Sequence, residues 1–428
     1  MAKASRSNQP DRIQYPEYFQ SHFSSILFSW RHVMRHTGHI RQRSEGSFEL
    51  RYSIGTDPVT GKWKVKTVTV KGTRKAAEKE LRRILDAIDD NDYVEPNKIT
   101  TRDFLTQWLE TMRSQITPKS YESYAEIVDN FLIPTLGGHI LAKLAPAVIQ
   151  KAYNGWEAGG RRDKKAGGLA ARSRLYIHRI LKSALKHAVQ IQLIARNPAD
   201  AVKAPRVKKA AITTLTVDQS AALLDALSGK PLYWPVLLAL TTGMRRGEIL
   251  ALRWKNIDFE KKTVRVVESL EQTNTGIRFK APKTERSRAV MLPDYAVEEL
   301  RRLKKEQEKK LSESGIGQTT ETLVCGRYDG EPLWPTSLTH EFVKAMKKLP
   351  KLPRARFHDL RHSHATQLLT AGIHPKIAQE RLGHTTITTT LDLYSHATDT
   401  MQDEAASKLD NAFRSAIKAR SDQAPRLG

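Results

Sequence analysis

The run R-F-H-D-L-R-H-S-H-A-T-Q-L-L-T-A-G-I-H-P-K-I-A-Q-E-R-L-G-H-T-T-I-T-T-T-L-D-L-Y, residues 356–394, decides how the rest of the chain is read. It opens with a basic cluster, His358, Arg361, His362 and His364. Residues 356–370 read as a helix start and helix, with Ala371-Gly372 as a turn. Pro375 and Gly383 bracket a second helix, the proline just inside its start and the glycine just past its end. His384 sits beyond that cap, and residues 386–394 read as one more short helix ending in Tyr394. Cations suited to an anion are thus followed by a tyrosine able to attack one.

Upstream, Thr216 opens a helix carrying Ala221, Leu224 and Leu227. Residues 233–242 are apolar and helical, and Gly243 caps their end. Arg245, Arg246 and Glu248 begin the next helix, which continues through Ile249, Leu250, Leu252 and Trp254. Charges between two apolar helices are costly unless paired or ligand-bound, although an arginine at a helix corner is also an ordinary surface residue. Residues 263–268 read as a strand. Residues 277–292 read as two more strands joined by K-A-P-K-T-E, which puts Lys283 at a turn tip. A charged amphipathic helix is expected over 295–310, and another helix from Thr336 with Leu338, Phe342, Val343 and Met346. Past Tyr394, the residues Met401, Ala405, Leu409, Ala412, Phe413 and Ile417 share one helical face.

Residues 98–212 read as all helix. The long helix expected over 169–194 carries Arg172, Arg174, Arg179, Lys182 and Lys186 on its polar face. That face is either a DNA contact or a solvated surface. Residues 46–54 alternate as a half-buried strand, and residues 63–70 alternate again after a turn-rich G-T-D-P-V-T-G-K, which predicts a hairpin. Thr73 then caps a helix over 74–88. Arg51, Lys64 and Lys66 suit a DNA groove or backbone, or simply keep a strand edge soluble. Residues 1–45 show no clear period. They read as a partly disordered extension or a small added helix, and a third reading starts translation at Met34.

Composition narrows the partner. The chain has 428 residues, enough for two or three domains, and a formal net charge of +25. Nucleic acid is the leading partner, because Lys and Arg that neutralise phosphates release counterions. An anionic membrane surface is the second, and no segment has the ~18 apolar residues of a spanning helix. One cysteine, Cys325, excludes an internal disulfide framework and a multi-cysteine zinc site, and suits a reducing cytoplasm.

Two arginines can hold the non-bridging oxygens of a phosphodiester and stabilise a pentacoordinate transition state. A tyrosine can be a covalent nucleophile, and a lysine or histidine can protonate the leaving oxygen. Such a set needs no metal or other cofactor. The metal alternative is weak. His358 and His362 are four apart, but the segment is not H-E-x-x-H and no paired carboxylates supply a two-metal site. Plain DNA binding explains the charge but not the tyrosine after the basic series.

Five pieces in order complete the sequence reading: T-T-G-M-R-R-G-E-I-L-A-L-R-W (241–254), P-K-T-E-R-S-R-A-V-M-L-P (282–293), H-D-L-R-H-S-H-A-T (358–366), L-G-H-T (382–385) and T-T-L-D-L-Y-S-H (389–396). Together they resemble the tyrosine recombinase (phage integrase) family, of the arm-binding type found in phage and conjugative-element integrases. The resemblance implies a multidomain α+β chain: an extension (1–45), a sheet-plus-helix arm-type DNA-binding domain (46–90), and a helical, SAM-like core-binding domain (98–206). A mostly α catalytic domain with a small antiparallel sheet (213–400) and a C-terminal helix and tail (401–428) complete it. It implies site-specific recombination through a 3′-phosphotyrosine link, integrating or excising a mobile element such as a prophage. Tyr394 would be the nucleophile, Arg245 and Arg361 the phosphate clamp, and Lys283 the acid for the 5′-hydroxyl. His358 would assist proton transfer, His384 would bond the phosphate, and Glu248 would support Arg245. The implied partners are double-stranded DNA at core and arm attachment sites, three further protomers in a tetramer, and DNA-bending or directionality factors. The implied setting is the cytoplasm of a bacterial host. A type IB topoisomerase would share the chemistry, and the arm-type domain argues for recombination instead.

Overall fold

A computed structural model describes residues 37–57, 60–90, 93–94, 97–161, 165–208, 212–281, 287–394 and 406–417, and of residues 389 and 392–394 the backbone alone. Two compact units emerge. One is drawn from Met1–Trp108 and Ile127–Arg206, the other from Leu109–Glu126 and Val207–Gly428.

The first unit begins with an antiparallel meander, β1 (Gly38–Ser44), β2 (Ser47–Thr56) and β3 (Trp63–Lys71), in that order. Helix α1 (Arg74–Asp89) follows, and the Thr73 hydroxyl accepts from the Ala76 amide at 3.3 Å to cap it. Phe48, Leu50 and Tyr52 on β2 point inward and pack with Ala77, Leu81, Ile84 and Ile88 of α1. The hairpin expected from 46–70 therefore supplies the central strand and one edge of a three-stranded sheet. Its extra strand, β1, lies inside the stretch read as an extension. Ile40 is its single aliphatic residue, and six of its seven positions are exposed. An edge strand this polar has no alternation to read. Pairing of Ile40 with Leu50 and of Arg41 with Glu49 places it.

Helices α2 (Thr101–Met112) and α3 (Pro118–Ile127) lead through a π turn at Val128–Leu132 into α4 (Ile133–Leu136). Helices α5 (Pro146–Ala158) and α6 (Ala171–Gln190) follow. In the first unit α6 buries Ile177, Ile180, Leu181, Ala184, Leu185 and Ala188 along one face, the period expected from 3.6 residues per turn. His178 is buried among them, and its Nδ1 lies 2.9 Å from the Tyr153 hydroxyl.

The second unit carries α7 (Val217–Leu227), α8 (Tyr233–Thr242) and α9 (Arg246–Ala251). The strands β4 (Ile257–Asp258), β5 (Thr263–Val266), β6 (Ser269–Thr273), β7 (Gly276–Lys280) and β8 (Arg288–Met291) come next. Helices α10 (Asp294–Glu313), α11 (Pro335–Lys347), α12 (Asp359–Thr370), α13 (Pro375–Leu382) and α14 (Ile387–Tyr394) close the fold. Helix α8 is its axis. Val236, Leu237 and Leu238 are fully buried, each contributing about 1.5–3 kcal/mol relative to exposure. Cys325 is buried in the same core, and burial pushes its thiol up to about 12, far from nucleophilic.

Strand pairing corrects one expectation. The strands on either side of Lys283 do not form a hairpin with each other. β7 pairs with β6, and β8 pairs with β5 in the sheet β4-β5-β8. The segment holding Lys283 therefore joins two sheets instead of capping one. β6, S-L-E-Q-T, has one aliphatic residue, so its alternation is faint, and Asn274-Thr275 closes it onto Gly276. Lys283 itself lies outside the described residues. So do residues 1–36, where the alternatives for the extension fall. Residues 406–417 are helical, with Leu409, Phe413 and Ile417 exposed on the expected stripe. Among the described residues no helix is long and apolar enough to cross a membrane.

Candidate active site

The site grows from two glycine-capped helix ends. Gly243 closes α8 at φ +66, a left-handed conformation that glycine adopts without penalty. A Cβ there would stand 2.6 Å from both His364 Cδ2 and Leu382 Cδ2, so the position also needs glycine for space. The turn delivers Arg245 to the cap of α9 with extended backbone. Gly383 closes α13 in the same way, at φ +66, and releases His384.

Glu248 sits in the first turn of α9, only 3 % exposed. Its Oε2 accepts from the Arg245 amide at 2.9 Å, and its Oε1 accepts from Arg245 Nη1 at 2.8 Å. Arg288 on β8 approaches from the other side, donating Nη1 to Oε1 at 3.0 Å and Nη2 to Oε2 at 2.6 Å. Burial alone would raise the carboxyl. The Arg288 bonds and charge, followed by those of Arg245, outweigh it and hold the group at about 2. The carboxylate is ionised and held from two sides. Arg246, next in sequence, turns away and donates to Thr339 Oγ1 at 2.5 Å and to the Pro335 carbonyl at 3.2 Å. Arg245 is thus the arginine of this pair that enters the site.

Arg361 on α12 is 3 % exposed. Its Nη1 donates to the Gly243 carbonyl at 2.6 Å and its Nη2 to the Leu382 carbonyl at 2.7 Å. Arg245 Nη2 donates to the Gly383 carbonyl at 3.2 Å, and Arg288 Nε to the Arg381 carbonyl at 3.1 Å. Three successive carbonyls at the end of α13 are each held by a different arginine. These are the unpaired acceptors at a helix C-terminus, where partial negative charge collects. Burial, then the charge of Arg245, pulls the Arg361 guanidinium down to about 9. A buried cation so short of counter-charge favours an anionic ligand.

The histidines divide by role. His384 Nδ1 lies 2.9 Å from Thr390 Oγ1, and burial followed by the Arg361 and Arg245 charges pushes its pKa to about 4. His358 caps α12, its ring edge-on to His362 at 5.0 Å between centroids. His358 is exposed as a residue, and partial desolvation of its ring, then the His362 and Arg361 charges, lowers its pKa. His364 is buried with both ring nitrogens engaged, Nδ1 with the Leu240 carbonyl at 2.7 Å and Nε2 with Arg381 Nε at 3.1 Å. It braces α8, α12 and α13 together. Tyr394 closes α14, a helix packed on α12 and α13, and its side chain lies outside the described residues.

A family profile described as "Phage integrase family" matches residues 213–401, and a second, "Phage integrase, N-terminal SAM-like domain", matches residues 100–157. The chain belongs to the phage integrase family. It is a site-specific tyrosine recombinase, with the integrase function of mobile elements. The ICEBs1 integrase of Bacillus subtilis is 27 % identical over 378 residues, covering 87 % of this chain and 99 % of that one. The Tn1549 transposon integrase, solved in complex with a circular intermediate DNA, superposes with a TM-score of 0.61 at 23 % identity, over 73 % of this chain and 99 % of that one. A lambda integrase tetramer bound to a Holliday junction gives a TM-score of 0.51 at 22 % identity, over 82 % and 96 %. These structures share the multidomain α+β fold with this integrase.

The DNA-facing candidates of the integrase do not form one set. Arg51 is exposed on the outer face of the meander, opposite Thr67, whereas Lys66 pairs across from Tyr52 on the face backed by α1. Lys64 is 3.2 Å from Asp57. On α6, Arg172 and Arg179 are exposed and seven residues apart, on one side of the helix. Arg174 is tied to Glu157 at 2.6 Å and to the Leu169 carbonyl at 3.2 Å, and Lys182 to Asp200 at 2.7 Å. Motif reading missed Arg288 and Arg381. A signal for Arg288 exists: it lies in phase with buried Val290 and Leu292, a strand position where a cation needs a buried partner.

Proposed function

We propose that this integrase cuts and rejoins one DNA strand at a time through Tyr394, with Arg245 and Arg361 holding the scissile phosphate. The observation that carries this is the convergence of the two guanidinia on the Gly243 and Leu382-Gly383 carbonyls. Each guanidinium has five N–H donors and uses few of them there, so donors remain for the two non-bridging oxygens. The Tyr394 oxygen attacks phosphorus, the bond from phosphorus to the 5′ oxygen breaks, and a 3′-phosphotyrosine forms. The phenol proton passes to His358, and the departing 5′ oxygen takes a proton from Lys283. His384, with Nδ1 accepting from Thr390, keeps Nε2–H to donate to the phosphate. One phosphodiester replaces another, so a 5′-hydroxyl from a second strand reverses the step without a cofactor.

The remaining assignments follow the same reading. The meander and α1 form an arm-site domain that begins at Gly38, residues 98–206 bind the core site, and residues 213–400 carry the chemistry. Arg51, Arg172 and Arg179 face DNA. Four protomers act together, as the lambda tetramer on a Holliday junction does. The exposed 406–417 stripe docks on a neighbouring protomer, DNA-bending or directionality factors set the outcome, and the reaction takes place on DNA in a bacterial cytoplasm. The test uses a nicked duplex taken from the DNA flanking the chain's own reading frame. Tyr394→Phe is expected to bind it normally and to form no covalent adduct. An adduct that survives denaturation in that variant overturns the assignment.

A further inference from the structure

Glu248 presents a charge problem that the two clamp arginines alone do not solve. It is a buried carboxylate in direct contact with Arg245. Taken alone, that pair is neutral, and a neutral pair is a poor partner for a phosphodiester. A diester attacked by a phenolate carries two negative charges at the pentacoordinate stage, one from each reactant. Arg245 and Arg361 with Glu248 supply a net charge of only +1.

We propose that Arg288 is a positioning residue that neutralises Glu248 and so leaves the full charge of Arg245 available to the phosphate; this rests on Arg245 and Arg361 being the phosphate clamp. Its geometry fits that task. Both Nη atoms meet both carboxylate oxygens in the parallel two-bond arrangement, the strongest form of this contact. The side chain is 12 % exposed, against 37 % for Arg245, so Arg245 is the more accessible partner of the shared carboxylate. With Arg288 counted, the cluster of three arginines and one carboxylate totals +2, so it matches the charge of the pentacoordinate stage without drawing on Lys283, whose proton goes to the leaving oxygen. Arg288 also joins the two halves of the clamp. Its Nε holds the Arg381 carbonyl, one residue before the carbonyl that Arg361 holds and two before the one that Arg245 holds. Its stem lies over Gly383, where a Cβ would come within 3.0 Å of Cδ. One side chain therefore fixes both the carboxylate behind Arg245 and the turn that presents His384.

The experiment measures the rate of covalent-complex formation on the nicked flanking-DNA duplex, with DNA affinity and thermal unfolding recorded for each full-length variant. Arg288→Gln is expected to slow the step roughly 10- to 100-fold with DNA binding largely kept. The double variant Arg288→Gln with Glu248→Gln restores the net charge and is expected to regain about tenfold of that loss. A merely structural role predicts the reverse, because the double variant breaks one more buried bond. A rate for Arg288→Gln within threefold of the native chain overturns the proposal, as does a double variant no faster than the single one. Should Arg288→Gln not fold, the double variant stands alone: cleavage within about tenfold of native supports the charge account, and a folded but inactive protein overturns it. Arg245→Gln run in parallel separates the two layers. If it cleaves normally, the clamp reading itself fails; if it is inactive while Arg288→Gln is fast, only the Arg288 role fails.

Discussion

Arg361 Nη2 lies 2.7 Å from the carbonyl oxygen of Leu382, while its Nη1 lies 2.6 Å from that of Gly243. One guanidinium therefore ties the end of α8 to the end of α13, and does so from a helix that packs against both. Replacing Arg361 with Gln removes a charge from the phosphate and leaves two buried carbonyls short of a donor. Covalent-complex formation is expected to fall at least a hundredfold. Stability is also expected to fall, by about 1–3 kcal/mol in urea unfolding. Activity within tenfold of native would show that Arg361 is not part of the clamp.

Gly243 offers a sharper steric test. Its positive φ and the two 2.6 Å approaches to His364 and Leu382 leave no room for a methyl group. Gly243→Ala is expected to cost about 2–4 kcal/mol, combining left-handed strain with overpacking. Gly229 has a matching φ of +70 but open space around it, so Gly229→Ala isolates the backbone cost alone. Equal losses for the two variants in chemical denaturation would contradict the packing account.

The depressed histidines predict a pH window. His364 is held at about 4 in the folded chain against an ordinary value of 6.5. The unfolded state therefore binds the extra proton first as pH falls. The stability linked to this group is fully present above about pH 6.5 and is lost progressively down to about pH 4, up to about 3 kcal/mol. Urea unfolding at pH 7 and pH 5 should show the drop, and His364→Asn should flatten it. A native chain equally stable at both values would refute this. DNA adds a second effect: a phosphate beside His384 offsets the arginine charges and raises that pKa, so core-site binding takes up protons between pH 7 and 5 and tightens as pH falls.

The basic residues predict different salt behaviour. Arg51, Arg172 and Arg179 are exposed, and replacing any of them with Ala should lower the slope of log affinity against log salt by about 1. Arg174, tied to Glu157 and the Leu169 carbonyl, should change stability more than the slope. Identical slope changes for Arg174→Ala and Arg179→Ala would count against the division.

The legible parts of the sequence were those with local chemistry. Thr73 and Thr216 mark helix starts by side-chain caps, and Gly243 and Gly383 mark ends by the left-handed turn. Arg245 and Arg361, whose guanidinia meet at the Gly243 and Leu382-Gly383 carbonyls, both stand in the motif pieces. β1 was not, because an exposed edge strand carries no apolar alternation. β7 was joined to β8 instead of to β6 because strand pairing depends on which partner lies near in space, and β8 finds β5. Arg288 was overlooked for a related reason: its partner Glu248 is 40 residues away, on helix α9, and no local pattern links them.

The most direct test is the identity of the DNA-linked residue. The integrase is allowed to cleave the nicked flanking-DNA duplex, the trapped adduct is digested with trypsin and nuclease, and the nucleotide-bearing peptide is sequenced by mass spectrometry. The account predicts a single peptide spanning residues 382–408 with the phosphoryl group on Tyr394. Linkage to any other residue, or cleavage with no linked peptide, would contradict it.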